Sequence, residues 1–350
     1  MQVANLRYGG VSVGWSNLYP RLAKVHNPGM NRRLVLVLLL CIQFHATAAE
    51  ARLIEARKIW DAAPHNAFTD LLWRSNEWLC VFREGSGHVA PDGKIRVITS
   101  KNGRDWTSAA LISRAERDLR DPKICATPDG SLMIYGAAAD RPKTPVSHQS
   151  MAWFSRDGRN WDDGIEIADK NMWLWRVAWH HDSALGVGYG TAGEKFVRLY
   201  KTMDGRKFET IVPKLFEEEF PNESALAFGA DDSAYCLLRR DGKPGNGMLG
   251  LAKPPYTDWT WKEVGARIGG PQLIRVGDRL IGACRLYDGG ARASVVEIDP
   301  ASGRLKELVK LPSGGDCSYP GVVWRENQLW ISYYSSHEGK TMIYFARVEI

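Results

Sequence analysis

Ser155-Arg156-Asp157-Gly158-Arg159-Asn160-Trp161 is the stretch from which the fold can be read. It recurs upstream as Ser100-Lys101-Asn102-Gly103-Arg104-Asp105-Trp106. A degraded copy follows as Thr202-Met203-Asp204-Gly205-Arg206-Lys207-Phe208. Each copy follows a strand-like run: Ile95 to Thr99, Met151 to Phe154 and Phe196 to Tyr200. An Asx-Gly pair supplies the tight turn, because Asn or Asp bonds its own backbone and Gly accepts φ > 0. The aromatic residue three places after Gly can pack under the turn. A hairpin cassette used three times points to a repeat architecture.

A second repeat runs beside the first. Short apolar runs start at Glu77, Ser131, Ser183, Ser233, Arg279 and Gln328, and their seventh residues are Arg83, Ala137, Tyr189, Arg239, Arg285 and Tyr334. Six copies spaced by about 50 residues match the period of propeller blades. Each copy follows another strand-like run, and no long amphipathic helix is evident. Leu215 to Glu219 reads as a helical turn at most. The expected fold is all-β, a six-bladed β-propeller over residues 50–350. Thr341 to Val348 would be the third strand of the last blade. Arg52 to Trp60 would add its outer strand and close the ring, which removes exposed edges.

The N-terminal segment reads differently. Asn31-Arg32-Arg33, the apolar run Leu34 to Phe44 and Ala46-Thr47-Ala48 have the charge, core and small-residue exit of a secretory signal peptide. Residues 1–49 are therefore assigned to a signal peptide, with Met30 a candidate start, and the protein is expected to be secreted or periplasmic. The run is too short for a stable membrane span. The formal charge of +6 comes largely from this segment, which carries five Lys or Arg and no acid. The remainder is nearly neutral, so charge gives no support to a nucleic-acid partner. Cys80, Cys125, Cys236, Cys284 and Cys317 remain. Their odd number argues against a full disulfide framework. No CxxC or His cluster suggests zinc, and the adjacent His180-His181 reads as a turn. No cofactor or metal is expected.

Register turns the repeats into a candidate site. Eleven residues before each apolar run lies the start of the preceding, innermost strand. Those positions are Asn66, Arg120, Asn222, Ile268 and Cys317, with the third blade placed near Arg176. Equivalent ends of inner strands ring one mouth of a propeller channel. Arg83, Arg239, Arg285, Glu223 and Tyr319, with Arg120 or Arg176, should therefore converge there.

With these residues in place, the chain resembles the sialidase superfamily. The cassette is similar to that family's Asp box. A Glu, then an Arg, a further Arg in the next blade and a Tyr opening the last blade match Glu223, Arg239, Arg285 and Tyr319 in order and spacing. The resemblance covers residues 52–350. It departs at two places: Asn66, beside His65, stands where the family carries an Arg, and His88 stands where it carries the acid/base Asp. This marks a divergent branch of the sialidase-type propellers.

The resemblance implies an exo-glycosidase acting on an acidic glycan, foremost an exo-α-sialidase with a retaining, metal-independent mechanism. Tyr319 would be the nucleophile and Glu223 its base. A neutral Tyr avoids the repulsion that a carboxylate nucleophile meets at a sugar bearing its own carboxylate. Arg239 and Arg285 would fork the substrate carboxylate, with Arg83 or Arg120 as a third partner and Asn66 nearby. His88 would handle the leaving-group proton, with Asp92 and Asp121 as carboxylate alternatives. His337 and Glu338 could line the same mouth, and Trp173 and Trp175 could stack on sugar rings. The rival readings are a uronic-acid hydrolase or polysaccharide lyase, and a glycan-binding propeller without chemistry.

Overall fold

The computed structural model describes residues 50–141 and 145–350. The signal-peptide reading of residues 1–49 lies outside them. The described chain forms twenty-four strands, numbered β1–β24, in six four-stranded antiparallel sheets. The inner strands of the six blades are β2 (His65–Arg74), β6 (Asp118–Ala126), β10 (Met172–His180), β14 (Pro221–Phe228), β18 (Ile268–Val276) and β22 (Cys317–Arg325). This is the expected six-bladed β-propeller. Strand β1 (Arg52–Trp60) pairs antiparallel with β24 (Met342–Glu349), from Arg52 opposite Glu349 to Trp60 opposite Ile343. The N-terminal strand thus closes the ring as the last blade's outer strand. Leu215 lies within β13 (Glu209–Phe216), a strand, not a helical turn.

Apolar side chains fill the seams between blades. Val81, Ile95 and Val97 of the first blade meet Leu119, Ile134 and Trp153 of the second in one buried cluster. Each such fully buried side chain contributes about 1.5–3 kcal/mol. The repeated cassettes clasp the same seams from outside. Each joins the third and fourth strands of its blade, and Gly103, Gly158 and Gly205 all take φ near +70° (69°, 72° and 73°). In the second copy the Ser155 hydroxyl accepts the Gly158 N–H at 2.9 Å, and Asp157 accepts those of Arg159 and Asn160 at 2.9 and 2.8 Å. A Cβ on Gly158 would sit 2.7 Å from Leu79 of the preceding blade, so glycine is required both by φ and by the close approach.

Five inner strands share an irregularity that shapes the channel. Pairing jumps from Ala67/Arg83 to Asp70/Val81, from Arg120/Ala137 to Lys123/Tyr135 and from Ser318/Tyr334 to Gly321/Ser332, with matching jumps in β14 and β18. Each is a β-bulge with two residues facing one. Phe68, Asp121, Gly270 and Tyr319 occupy its first position in four of these blades, with φ of 62°, 50°, 55° and 49°. The register differs from expectation: in the fourth blade Arg240, not Arg239, pairs just before the bulge as Arg83 and Arg285 do, and in the third Trp173, not Arg176, pairs with Tyr189. Arg176 lies deeper, where it plugs the channel. It donates to Asp70 Oδ1 at 3.1 Å, to the Pro271 carbonyl at 3.2 Å and to the Pro320 carbonyl at 2.6 Å.

Candidate active site at the channel mouth

Above the Arg176 plug, the bulges bring Tyr319 and Glu223 together. The Tyr319 hydroxyl donates to Glu223 Oε1 at 2.6 Å. Glu223 Oε2 accepts the Gly270 N–H at 2.7 Å and lies 2.8 Å from Arg239 Nη1. Arg239 Nη1 also reaches the Tyr319 hydroxyl at 3.2 Å. Gly270 makes this possible, since a Cβ there would fall 2.8 Å from the Tyr319 ring. Both members of the pair are buried. Burial, and then the Glu223 charge, push the Tyr319 phenol well above its usual value. The phenol is therefore held neutral and becomes a nucleophile only as its proton passes to a base.

The expected arginines fall into two groups. Arg239, Arg285 and Arg120 reach the mouth. Burial acts against the Arg239 charge, but Glu223, Tyr319 and Asp241 outweigh it and hold the proton firmly. Its Nε and Nη2 also donate to Asp241 at 3.1 and 3.0 Å. Arg285 donates to the Cys317 carbonyl at 2.7 Å and to the Tyr334 hydroxyl at 3.0 Å, and its guanidinium lies 5.4 Å from the Tyr319 ring centre. Arg120 packs over Phe68 and Trp173 and donates to the His88 carbonyl at 3.0 Å. Its buried Nε makes no hydrogen bond but lies 3.6 Å from Asp121 Oδ2, and its Nη1 is 3.4 Å from Asp118 Oδ2.

Arg83 and Asn66 do not join them. Arg83 is fully buried and donates to Asp118 at 2.8 Å and to the Gly87 and Ala90 carbonyls. It fits because Gly85 and Gly93 lack side chains: a Cβ on either would lie 2.8 or 2.5 Å from the guanidinium. Arg83 therefore braces the His88 loop and is not available to a substrate. Asn66 is spent on the Ala63 and Thr341 carbonyls. Asp92 caps the same loop from its exposed side, accepting from the Ser86 N–H and hydroxyl. His337 bonds Ser335 and packs on the Tyr344 ring at 5.1 Å between centres, and Glu338 lies 3.7 Å from His337.

His88 does sit at the mouth. Its Nδ1 is 2.7 Å from Asp316 Oδ2, and its ring meets Phe68 at 5.1 Å between centres. Phe68, Trp175 and Tyr319 form the aromatic floor, with Tyr319 5.2 and 5.7 Å from the other two. Asp121 shares the bulge position of Tyr319 and is almost fully buried. Burial raises its carboxyl against the pull of Arg120 and Lys123, and the Glu223 charge adds to the rise. Asp316 and Tyr334 were not assigned roles from sequence. Asp316 Oδ1 accepts the Tyr334 hydroxyl at 2.8 Å and Arg285 at 3.2 Å. A polar residue directly before the Cys317-Ser318-Tyr319 strand opening was the available signal. Among the described residues, two groups have the atoms to hold a metal: His65, His88 and Asp316, and His180, His181 and Asp232. In the second group both imidazole Nε2 atoms converge on Asp232 Oδ1, so this turn does more than its adjacent spacing suggested.

Comparison with known proteins supports the architecture. No protein-family profile matches the sequence, and no curated protein matches it. Solved structures do. A protein of unknown function from Dyadobacter fermentans superposes with a TM-score of 0.76 at 19% identity, covering 87% of this chain and 100% of that one. The GH93 α-L-arabinofuranosidase of Fusarium graminearum gives 0.70 at 13% identity, covering 85% and 98%. A Trypanosoma rangeli sialidase gives 0.65 at 12% identity, covering 81% of this chain and 54% of that one. The fold is the sialidase-type six-bladed propeller. At these identities the likeness establishes that propeller and not its chemistry. The function must be argued from the mouth itself. The outer clefts of the propeller offer less: one of 400 Å³ beside Asp129, Arg156 and Arg206 is lined by turn residues of the cassettes.

Proposed function

We propose that this propeller is a retaining exo-glycosidase whose reaction takes place over Tyr319. The 2.6 Å contact between the Tyr319 hydroxyl and Glu223 carries the reading. A buried phenol against a carboxylate is the arrangement needed to make a neutral nucleophile. In the first step the Tyr319 oxygen bonds the anomeric carbon, its proton passes to Glu223, and the bond to the leaving-group oxygen breaks. That oxygen needs a proton, and we assign it to Asp121, whose burial favours the protonated carboxyl. The donor role expected of His88 thus moves to Asp121. In the second step Asp121 takes a proton from water, the water oxygen replaces Tyr319 at the anomeric carbon, and Glu223 returns its proton to Tyr319.

The substrate class we favour is an acidic sugar, foremost a sialoside, with its carboxylate received by Arg239 and Arg285, and Arg120 as the third arginine at the mouth. A neutral pentofuranoside is the second reading. One observation favours it: Arg239 and Arg285 already face Glu223, Asp241 and Asp316, which offsets much of their charge. The Fusarium neighbour, named an α-L-arabinofuranosidase, belongs with that reading. A panel of fluorogenic α-sialosides, uronides and α-L-arabinofuranosides separates them. Release from the sialoside or uronide alone supports the acidic-sugar reading, and release from the arabinofuranoside alone replaces it. No release from any, with an unsaturated product absorbing in the ultraviolet from uronic-acid polymers, would replace hydrolysis with elimination. We place this activity outside the cytoplasm, on the charge and apolar pattern of residues 31–48.

A further inference from the structure

The mouth contains a histidine whose state the glycosidase reading leaves unexplained. His65 is 8% exposed, and neither of its ring nitrogens has a hydrogen-bond partner. Leaving a buried polar atom unpaired costs about 1–3 kcal/mol. Its Nε2 lies 3.6 Å from Asp316 Oδ2, beyond hydrogen-bond length but directed at the oxygen that His88 Nδ1 approaches at 2.7 Å. The two imidazoles come from different places, His65 from the start of β2 and His88 from the loop that Arg83 and Asp92 brace. Asp316 comes from the opening of the last blade, ahead of β22. One ligand atom from each lies within 4.8 Å of the other two.

We propose that His65, His88 and Asp316 form a binding site for a divalent transition metal, with Zn²⁺ as the representative ion. Two imidazoles and one carboxylate are a common donor set for such ions, and three protein ligands leave a coordination position open. Metal–ligand bonds of about 2.0–2.2 Å place tetrahedral donors about 3.4 Å apart, so the His65–Asp316 separation of 3.6 Å already fits and the His88–Asp316 pair, now at 2.7 Å, must open to admit the ion. The cation would occupy the space between the three atoms and give His65 Nε2 its missing partner. It would also displace the proton shared by His88 and Asp316. The outer support is already present. Asp316 Oδ1 is fixed by Tyr334 and Arg285, which orients Oδ2 toward the imidazoles. Arg285 and the Arg120 contact to the His88 carbonyl are the positive charges the ion must tolerate. The site adjoins the Tyr319 pocket, because the Phe68 ring touches His65, His88 and Tyr319 together. An ion there would offer its open position to a sugar carboxylate or hydroxyl. The site stands on its own geometry and does not depend on hydrolysis at Tyr319.

The second cluster, at His180, His181 and Asp232, provides the internal control. Its imidazoles are already bonded to Asp232, and the His181 and Asp232 side chains are 73% and 50% exposed. The test is calorimetric titration of the full, chelator-treated and dialysed protein with ZnCl₂. It compares wild type, His65→Ala, His88→Ala and the double variant His180→Ala/His181→Ala, with melting curves confirming that each is folded. We expect one strong site per chain, weakened more than about tenfold by His65→Ala and by His88→Ala. The double variant should retain it. With Co²⁺ in place of Zn²⁺, the visible absorption bands of the bound ion should vanish in the same two single variants. Absence of a strong site in the wild type would overturn the proposal. So would a strong site that survives His65→Ala and His88→Ala but disappears in the double variant. Neither result depends on turnover, so the outcome is separable from that of the glycoside panel.

Discussion

Replacing Tyr319 by Phe separates chemistry from architecture at the mouth, because the oxygen removed has few structural duties. It makes two polar contacts, to Glu223 Oε1 at 2.6 Å and from Arg239 at 3.2 Å. Without it Glu223 Oε2 keeps the Gly270 N–H and Arg239, while Oε1 loses its donor inside a buried pocket. That loss should cost about 1–3 kcal/mol of stability, a fall in Tm of about 2–6 °C for a chain of this size. The ring itself stays, so its packing on Phe68, Trp175 and Tyr334 is unchanged. The kinetic effect should be far larger. Loss of a covalent nucleophile lowers kcat by about 10⁴-fold or more, equivalent to about 5–6 kcal/mol of barrier. A positioning role for the hydroxyl could not account for a loss of that size. The assay pairs kcat on the best aryl glycoside with the melting temperature of the same preparation. Turnover within about tenfold of wild type, in a variant that melts within a few degrees of it, would refute Tyr319 as nucleophile. Trapping with a fluorinated substrate adds a direct readout: the label should appear on the peptide containing Tyr319.

Asp121→Asn should abolish release of poor leaving groups. Activated aryl glycosides, which need no proton, should still glycosylate Tyr319 and release one equivalent of aryl alcohol in a burst before the second step, now without its base, slows turnover. Because burial raises the Asp121 carboxyl, wild-type turnover should fall as pH rises through that raised value, and the variant's residual rate should lack this limb. A pH–rate profile with matched good and poor leaving groups reads both effects, and an unchanged limb in the variant would remove Asp121 from the mechanism. Lys123 gives a stability prediction of the opposite sign. It is fully buried, donates to the Asp121 and Pro122 carbonyls, and burial together with Arg176 pushes its ammonium down to about 8. Between about pH 8 and 10.4 the unfolded chain therefore holds a proton that the folded one has released, and stability should rise across that window by at most about 3 kcal/mol. Chemical melts of wild type and Lys123→Met at pH 7 and pH 10 test this, with the variant lacking the increment. Equal pH slopes would show that Lys123 keeps its charge when buried.

The ring of blades was legible in the sequence because it depends on the repeat, and Glu223, Tyr319, Arg285 and Arg120 fall at the mouth ends of their blades. Arg239 reaches the mouth too, though it stands one place from the position of Arg285. A repeat aligned correctly assigns every residue to one end of a strand, and the end decides the mouth. Register does not decide which way a long side chain turns. Arg83 occupies the same position as Arg285, yet it turns into the seam toward Asp118, in a space opened by Gly85 and Gly93. Asn66 is likewise drawn to the Thr341 carbonyl, where the first blade meets the last. Those partners lie tens to hundreds of residues away, and no local pattern points to them. Asp316 was illegible for a related reason. It stands outside the strand, in a loop with no period, and its role depends on what Arg285, Tyr334 and His88 bring to it.

The bulge explains why the chemistry gathers on so few residues. A regular inner strand would send alternate side chains into the two seams, and the channel would be lined by backbone. Inserting one residue at the same level in five strands re-aims a side chain at the axis. At three of those positions a residue other than glycine, Phe68, Asp121 or Tyr319, takes positive φ, at a cost of about 1–3 kcal/mol each. Such strain persists only where surrounding contacts over-determine it, and Arg176 supplies those contacts from below. Its guanidinium joins Asp70 to the carbonyls of Pro271 and Pro320, the residues that directly follow the bulged Gly270 and Tyr319. Asp70 in turn receives the Ile124 N–H beside the bulge of the second blade. One buried cation thus ties four blades together just beneath the nucleophile pair. The expectation of Arg176 as the alternative to Arg120 at the mouth is therefore replaced by a more basic role: it holds the strained backbone that presents Tyr319 and Asp121 to the mouth.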